Sequence, residues 1–387
     1  MATPRYFIGL MSGTSVDAID AALVACHGDL LTGTSELCGH IQYPWPDALR
    51  AELLAVMAPA TVTTQQICRL HDQVAREFAH AVAELLRTTG VAASAITAIG
   101  SHGQTVCHLP PSAGNPAPGC TLQLGSVSTL AVLTGIPVIG DFRPADMAVG
   151  GQGAPLVPWT DALLLQHPAH IRCVQNIGGI GNVTWLPQRS ARPSLCAFDT
   201  GPGNMLMDAA VQRVTQNAQR YDRNGALARQ GRIHAELFTS LSADPYFQRP
   251  PPKSAGREQF GAALLERALA QFPAISAPDL IATLTQLTVW SIADAYSRYL
   301  PQWPTEVIVC GGGAENTYLM EQLHAALNQH QPTKLLKIDD LGIRNAAKEA
   351  LSFALLAAAS HDGIPANVPS VTGASRAVIL GVRAPGR

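Results

Sequence analysis

The stretch Gly13-Thr14-Ser15-Val16-Asp17-Ala18-Ile19-Asp20 decides the fold, because it joins two apolar runs, Tyr6 to Met11 and Ile19 to Cys26. Runs of this kind around a Ser-Gly-Thr-Ser turn read as a hairpin opening a sheet, with a third strand between Leu30 and Ile41. Glycine permits close backbone approach, and successive N–H groups with the hydroxyls of Ser12, Thr14 and Ser15 can converge on one oxyanion. Asp17 and Asp20 follow at once. Carboxylates beside phosphates need a cation between them, which makes both candidates for Mg2+, held directly or through its waters. An ordinary hairpin turn with solvated aspartates has the same composition, and spacing alone leaves both readings open.

Outward from the hairpin, helical patterns cover Pro46 to Met57 and Thr64 to Arg87, the second with apolar residues at Ile67, Leu70, Val74, Phe78, Val82 and Leu85. Strands at Ala95 to Gly100, Thr121 to Leu124 and Pro137 to Ile139, with a helix from Val127 to Leu133, complete a mixed α/β lobe. The pattern then starts again. Arg172 to Gln175 and Val183 to Leu186 flank a second glycine turn, Asn176-Ile177-Gly178-Gly179-Ile180-Gly181-Asn182, and Leu195 to Phe198 is another strand. Helices near Gly203 to Gln216, Arg257 to Ala270 and Pro278 to Tyr299 follow, then a strand from Glu306 to Cys310. Both halves open with strand, glycine turn, strand, which is a coarse internal duplication.

A chain of 387 residues exceeds the usual ceiling of about 250–300 for one core, so two domains are expected. The boundary falls near residue 145, giving lobe I over 1–145 and lobe II over 146–365, with about 366–387 returning to lobe I. With 14% charged residues, a net charge of -2 and no basic run, nucleic acid has no electrostatic footing. The eight cysteines form no C-x-x-C pair and read as reduced thiols, not as a zinc site or disulfide scaffold. The opening residues run straight into a strand without an apolar leader, and no uncharged apolar stretch of about 18 residues follows. A cytoplasmic protein fits.

Only four lysines are present, at 253, 334, 337 and 348, so no G-x-x-x-x-G-K-[ST] phosphate loop exists. If the chain holds ATP, backbone N–H groups, hydroxyls and a metal must carry the phosphate charge. A third glycine set, Gly311-Gly312-Gly313, joins a β-branched strand to a helix, where a flat ring can slide against bare backbone; tight strand-to-helix packing would need the same residues. Asp199, in Phe198-Asp199-Thr200-Gly201-Pro202-Gly203-Asn204, stands between a strand and a helix. It suits a general base, and it also suits a helix cap. Three polar loops, Ser101-His102-Gly103-Gln104-Thr105, Asp141-Phe142-Arg143 and Gly150-Gly151-Gln152-Gly153-Ala154-Pro155, suit recognition of hydroxyls and amides. His102 is one of twelve histidines, and a lone histidine is more often a satisfied structural group than a catalyst.

Taken in order, these motifs, with Pro252-Lys253-Ser254, Gly256-Arg257-Glu258, Lys348-Glu349-Ala350 and Val371-Thr372-Gly373-Ala374, resemble the bacterial anhydro-N-acetylmuramic acid kinase family over nearly the whole chain. The resemblance implies a two-lobed actin-like ATPase (sugar kinase/Hsp70/actin) α/β fold, each lobe a mixed sheet flanked by helices, using ATP and Mg2+. It implies a kinase that opens the 1,6-anhydro ring of 1,6-anhydro-N-acetylmuramic acid with water and phosphorylates O6, in peptidoglycan recycling. Asp199 then takes the place of the base, drawing a proton from water and delivering one toward O6. Gly13, Thr14, Ser15, Val16, Asp17, Ala18, Ile19 and Asp20 map onto the ATP phosphate turn, with Ala18 where the family usually has glycine. Asn176, Gly178 and Gly179 form the second turn, and Gly311, Gly312 and Gly313 the adenosine loop. His102, Gln104, Arg143, Gln152 and Glu349 fall to the sugar, Arg143 as partner of its lactyl carboxylate and Glu349 as an acid near the ring. A homodimer is expected by family analogy. An ATPase module of the same fold, a sugar kinase without ring opening, and a glycosidase built on Asp199 and Glu349 are the competing readings.

Overall fold

The computed structural model describes residues 3–58, 61–111, 119–189 and 194–386. The chain forms two compact units, one running to Leu164 and resuming at Ala346, the other spanning Leu165–Asn345.

The first unit is built on strands β1 (Arg5–Ser12), β2 (Ala18–His27), β3 (Thr34–Pro44), β4 (Ile96–Leu109), β5 (Cys120–Leu124) and β6 (Val138–Gly140), joined after the chain returns by β12 (Val382–Ala384). They form one sheet in the order β12-β6-β4-β1-β2-β3, with β5 also on β4. The second unit holds β7 (Arg172–Ile177), β8 (Ile180–Leu186), β9 (Cys196–Pro202), β10 (Glu306–Cys310) and β11 (Lys334–Lys337) in the order β11-β10-β7-β8-β9. In each unit three strands run antiparallel, β1-β2-β3 and β7-β8-β9. On the other side of the first strand two more run parallel to it, β4 and β6 or β10 and β11. One topology is therefore used twice. It is that of the sugar kinase/Hsp70/actin fold, and the duplication visible in the glycine turns extends to the order and direction of five strands. The central strands carry near-continuous apolar runs, such as Phe7 and Ile8 in β1 and Val307 to Val309 in β10, all fully buried, as parallel strands covered on both faces require.

Helices α1 (Asp47–Met57), α2 (Thr64–Thr89), α3 (Val127–Thr134), α4 (Phe142–Ala148) and α5 (Val157–Leu165) come from the first stretch of chain. Helix α2 starts at a capping box of Thr63 and Gln66 and stops at left-handed Gly90; its buried stripe includes Leu70, Val74, Phe78, Val82 and Leu85. The second unit contributes α6 (Met205–Val214), α7 (Ala235–Ser242), α8 (Arg257–Phe260), α9 (Ala262–Gln271), α10 (Ala277–Tyr299) and α11 (Thr317–His330). The helix expected over Arg257 to Ala270 is two, because Gly261 is extended.

Helix α12 (Lys348–His361) packs on β1, β4 and β2, so the first unit takes the chain back well before the expected point near 366. Two glycines make that contact possible. A Cβ on Gly9 would run into the carbonyl oxygen of Ala350, and one on Gly100 into that of Phe353. The polar loop expected at Ser101 to Thr105 also differs: it lies inside β4, which continues past a left-handed Gly103 (φ 74°) because Gln104 to Leu109 pair with β5. Likewise Phe142 and Arg143 begin α4 and are not loop. No helix of the described residues is long and apolar enough to cross a membrane.

Candidate active site

In the first unit the β1–β2 turn is held from several sides. Val16 donates its N–H to Gly13 O (3.1 Å) and accepts from Arg50 Nε on α1 (2.7 Å). Val16 is fully buried and carries φ 52°, a conformation costly for a β-branched residue and sustained by these bonds. Trp45 Nε1 donates to Ser12 Oγ (3.2 Å), and Gln104 Nε2 to Gly13 O (3.2 Å). A Cβ on Gly13 would meet nothing closer than 3.9 Å, so the chain's own packing does not require glycine there. Ala18 opens β2 in regular pairing with Pro44, followed by Ile19, which is buried.

The two aspartates of the turn are differently placed. Asp17 Oδ1 accepts from Arg50 Nη2 (3.2 Å) and is largely exposed. Asp20 Oδ1 accepts from Gln42 Nε2 (3.0 Å) and lies 3.0 Å from His40 Nε2. No cluster of three or more His, Cys, Asp or Glu suited to a metal occurs among the described residues.

His102 is buried, with Nδ1 2.8 Å from Gly103 O and Nε2 2.8 Å from Arg143 Nη2. Burial and the Arg143 charge lower its pKa to about 3, so it is neutral, donating at Nδ1 and accepting at Nε2. It positions Arg143, whose Nη1 also donates to Gly153 O (2.9 Å) and whose pKa burial lowers to about 10. A guanidinium has five N–H groups, and these bonds leave one free on each Nη. Gln104 is brought to the Gly13 turn; its Oε1, like Ser101 Oγ, is buried with no hydrogen-bond partner among the described residues.

The Gln152 loop depends on Asp146, which no sequence motif marks. Its Oδ2 accepts from Gly153 N (2.8 Å), while Oδ1 accepts from Asn367 Nδ2 (2.7 Å) and Thr372 Oγ1 (2.8 Å). Gln152 itself donates its N–H to Thr372 O (2.8 Å). Glu349, in the first turn of α12, keeps an exposed surface. Lost hydration raises its pKa; Lys348 and Arg143 oppose the rise and Asp20 adds to it, so these charges are within reach of one another.

In the second unit, Asn176 is the penultimate residue of β7, beside the Gly178-Gly179 turn. Asn204 donates its N–H to Gly178 O (2.7 Å) and its Nδ2 to Ile177 O (3.1 Å), while Gly203 N donates to Gly179 O (3.0 Å). The glycines divide into two kinds. Gly311 (φ 82°) is gripped by Asn345 on both its N–H (2.7 Å) and carbonyl (3.0 Å), and a Cβ on Gly313 would strike Ile177. Gly178, Gly179 and Gly312 would seat a Cβ with no atom nearer than 3.2 Å, so packing among the described residues does not by itself require glycine there. Beside Gly312 lies a cavity of about 480 Å³, lined among others by Asn204, Met207, Asp208, Tyr221 and Asn316.

Asp199 lies within β9, and the cap position of α6 is Asn204, so the helix-cap reading does not hold. Its N–H donates to Lys253 O (3.1 Å), its carbonyl accepts from Tyr246 OH (2.6 Å), and Oδ2 accepts from Ala255 N (2.9 Å). Burial raises its pKa to about 6 against the Ala255 hydrogen bond and the Lys253 charge. The buried Lys253 ammonium stands over the rings of Tyr299 (4.5 Å) and Tyr246 (4.8 Å), and burial lowers its pKa to about 8. In the sequence Lys253 stands only as part of a motif; of the rings under its ammonium, Tyr246 is seven residues away and Tyr299 is distant in the chain.

The chain was compared with known proteins. A family model described as anhydro-N-acetylmuramic acid kinase matches residues 5–386. Proteins of that name from Synechocystis sp. and Microcystis aeruginosa are 45% and 46% identical, each over 97% of this chain and 97% and 98% of their own. One from Gloeobacter violaceus is 44% identical over 98% of both chains. Among solved structures, an activator of 2-hydroxyisocaproyl-CoA dehydratase from Clostridium difficile aligns with TM-score 0.41 at 12% identity, over 91% of this chain and 93% of its own.

Proposed function

The chain belongs to the anhydro-N-acetylmuramic acid kinase family, and from that premise we propose that it converts 1,6-anhydro-N-acetylmuramic acid, water and ATP into N-acetylmuramic acid 6-phosphate and ADP. The observation that carries the mechanism is Asp199: a half-sequestered carboxyl, oriented by the Ala255 N–H, with its pKa near 6. Asp199 draws a proton from water as the water oxygen bonds to C1. The C1–O6 bond breaks with its electron pair on O6. The proton passes toward O6 as the bridge opens and is lost when O6 bonds to the γ-phosphorus, and ADP leaves with the electron pair of the broken P–O bond.

The Gly13 and Gly178-Gly179 turns serve the phosphates, Gly312 the adenosine, and Arg143 and Glu349 the sugar, with Gln152 on a neighbouring loop. Arg143 has an N–H free on each Nη for a carboxylate. His102 and Gln104 act behind these, on Arg143 and on the Gly13 carbonyl. Mg2+ supplies charge neutralisation on the phosphates when bound. Asp20, with Oδ1 already engaged, suits contact through the ion's waters, and Asp17 is turned to Arg50. ATP and a free amino sugar as reactants point to the cytoplasm and to cell-wall recycling.

The test is incubation with the anhydro sugar, with and without ATP, and detection of the phosphorylated product. Sugar opened without ATP would favour a glycosidase, and ATP hydrolysis indifferent to sugar an ATPase module. Two further outcomes are expected. Because the base must be ionised, kcat/KM should fall below about pH 6, and Lys253→Met, which removes a cation favouring the ionised form, should move that limb to higher pH. Gly13→Ala should leave the melting temperature unchanged, since nothing lies within 3.9 Å of the new methyl, yet raise KM for ATP about ten-fold by holding phosphate off the backbone. Wild-type nucleotide kinetics in that variant would remove the turn from the phosphate site.

A further inference from the structure

We propose that Asp208 accepts the ribose hydroxyls of the nucleotide in the cavity beside Gly312. The inference rests on the ATP reading and extends it to the sugar of the donor. Most other polar side chains around the cavity are already engaged. Both oxygens of Asp222 accept backbone N–H groups, from Leu227 and Ala228 (2.9 Å each). Asn316 Oδ1 accepts from Leu319 N (3.0 Å), Glu315 pairs with Lys337 (3.5 Å), and Asn204 Nδ2 is bound to Ile177 O. The Asp208 carboxylate has no hydrogen bond or ion pair among the described residues, its backbone N–H donating to Asn204 O (2.8 Å), and lost hydration raises its pKa to about 6.

An ionised carboxylate only accepts, so this one needs donors from outside the chain. A nucleoside triphosphate offers vicinal hydroxyls and, in adenine, an amino group. Position decides between them. Asp208 stands one turn along α6 from Asn204, about 6 Å away at 1.5 Å per residue. Asn204 is fixed under the Gly178-Gly179 turn. With phosphates at that turn, the group one helical turn away is the ribose, and the base lies farther on, where the bare face of Gly312 suits a flat ring.

The experiment compares kcat/KM for ATP and 2′-deoxy-ATP in the wild type, Asp208→Ala and Asp208→Asn. The wild type should prefer ATP by about ten-fold or more, as for a hydrogen bond to a charged group, and Asp208→Ala should bring the two within about two-fold while KM for the amino sugar stays put. Folding raises this acid's pKa, so its ionised form opposes folding once pH passes through about 4 to 6. At pH 7.5 both variants should therefore melt no lower than the wild type, which separates nucleotide recognition from a structural role. Retention of the wild-type preference in Asp208→Ala, or equal use of both nucleotides by the wild type, overturns the assignment and leaves the ATP reading intact. A wild type that phosphorylates with neither nucleotide overturns both.

Discussion

Replacing Asp199 by Asn should slow turnover at least about a hundred-fold while ATP still binds. The amide has the shape of the carboxyl, and its oxygen can still accept from Ala255 N (2.9 Å). The bonds to Lys253 and Tyr246 use the main chain and survive any change of side chain. What disappears is the ability to take a proton from water. Turnover followed by ADP release, with nucleotide affinity measured by calorimetry, separates the two effects. A purified Asn variant that kept more than a tenth of the wild-type rate would end the assignment of Asp199 as base.

Gly9→Val should be the most damaging single change in the first unit. Any side chain at Gly9 runs into the backbone of α12 at Ala350 and Ala354, and backbone cannot rotate aside as a side chain can. Overpacking here should cost about 3 kcal/mol or more, a fall in melting temperature of roughly 6–12 °C for a unit of this size. Helix α12 carries Glu349 and is tied to α5 through Lys348 and Asp161 (3.0 Å), so KM for the amino sugar should rise as well. A Gly9→Val protein that melts within about 2 °C of the wild type would show that the helix rides farther from β1 than described.

Much of this was legible in the chain. The Gly13 hairpin and the stripe of α2 announce themselves because turn chemistry and helical periodicity are local. The repetition of five strands was visible only at its first two, since the parallel partners of β1 and β7 arrive after long insertions. Ser101 to Thr105 reads as loop because its polar side chains outweigh a strand identity conferred by β5, some twenty residues later. The return of α12 was hidden for a related reason: its docking face is made of Gly9 and Gly100, where the signal is an absent side chain. Single residues were hardest. Lys253 and Asp146 take their character from partners distant in sequence, and Asp208 resembles a solvated acid in a helix's first turn until the cavity beside it is known.

The late position of α12 also orders events at the ribosome. Strands β1 and β4 are made early, but the helix that covers Gly9 and Gly100 follows only after the whole of 165–345. At 5–20 residues per second that is a wait on the order of ten to forty seconds. Residues 165–345 are contiguous and can close their own core meanwhile. The half made first is thus the half completed last, and its sheet waits through that interval without the helix that covers it.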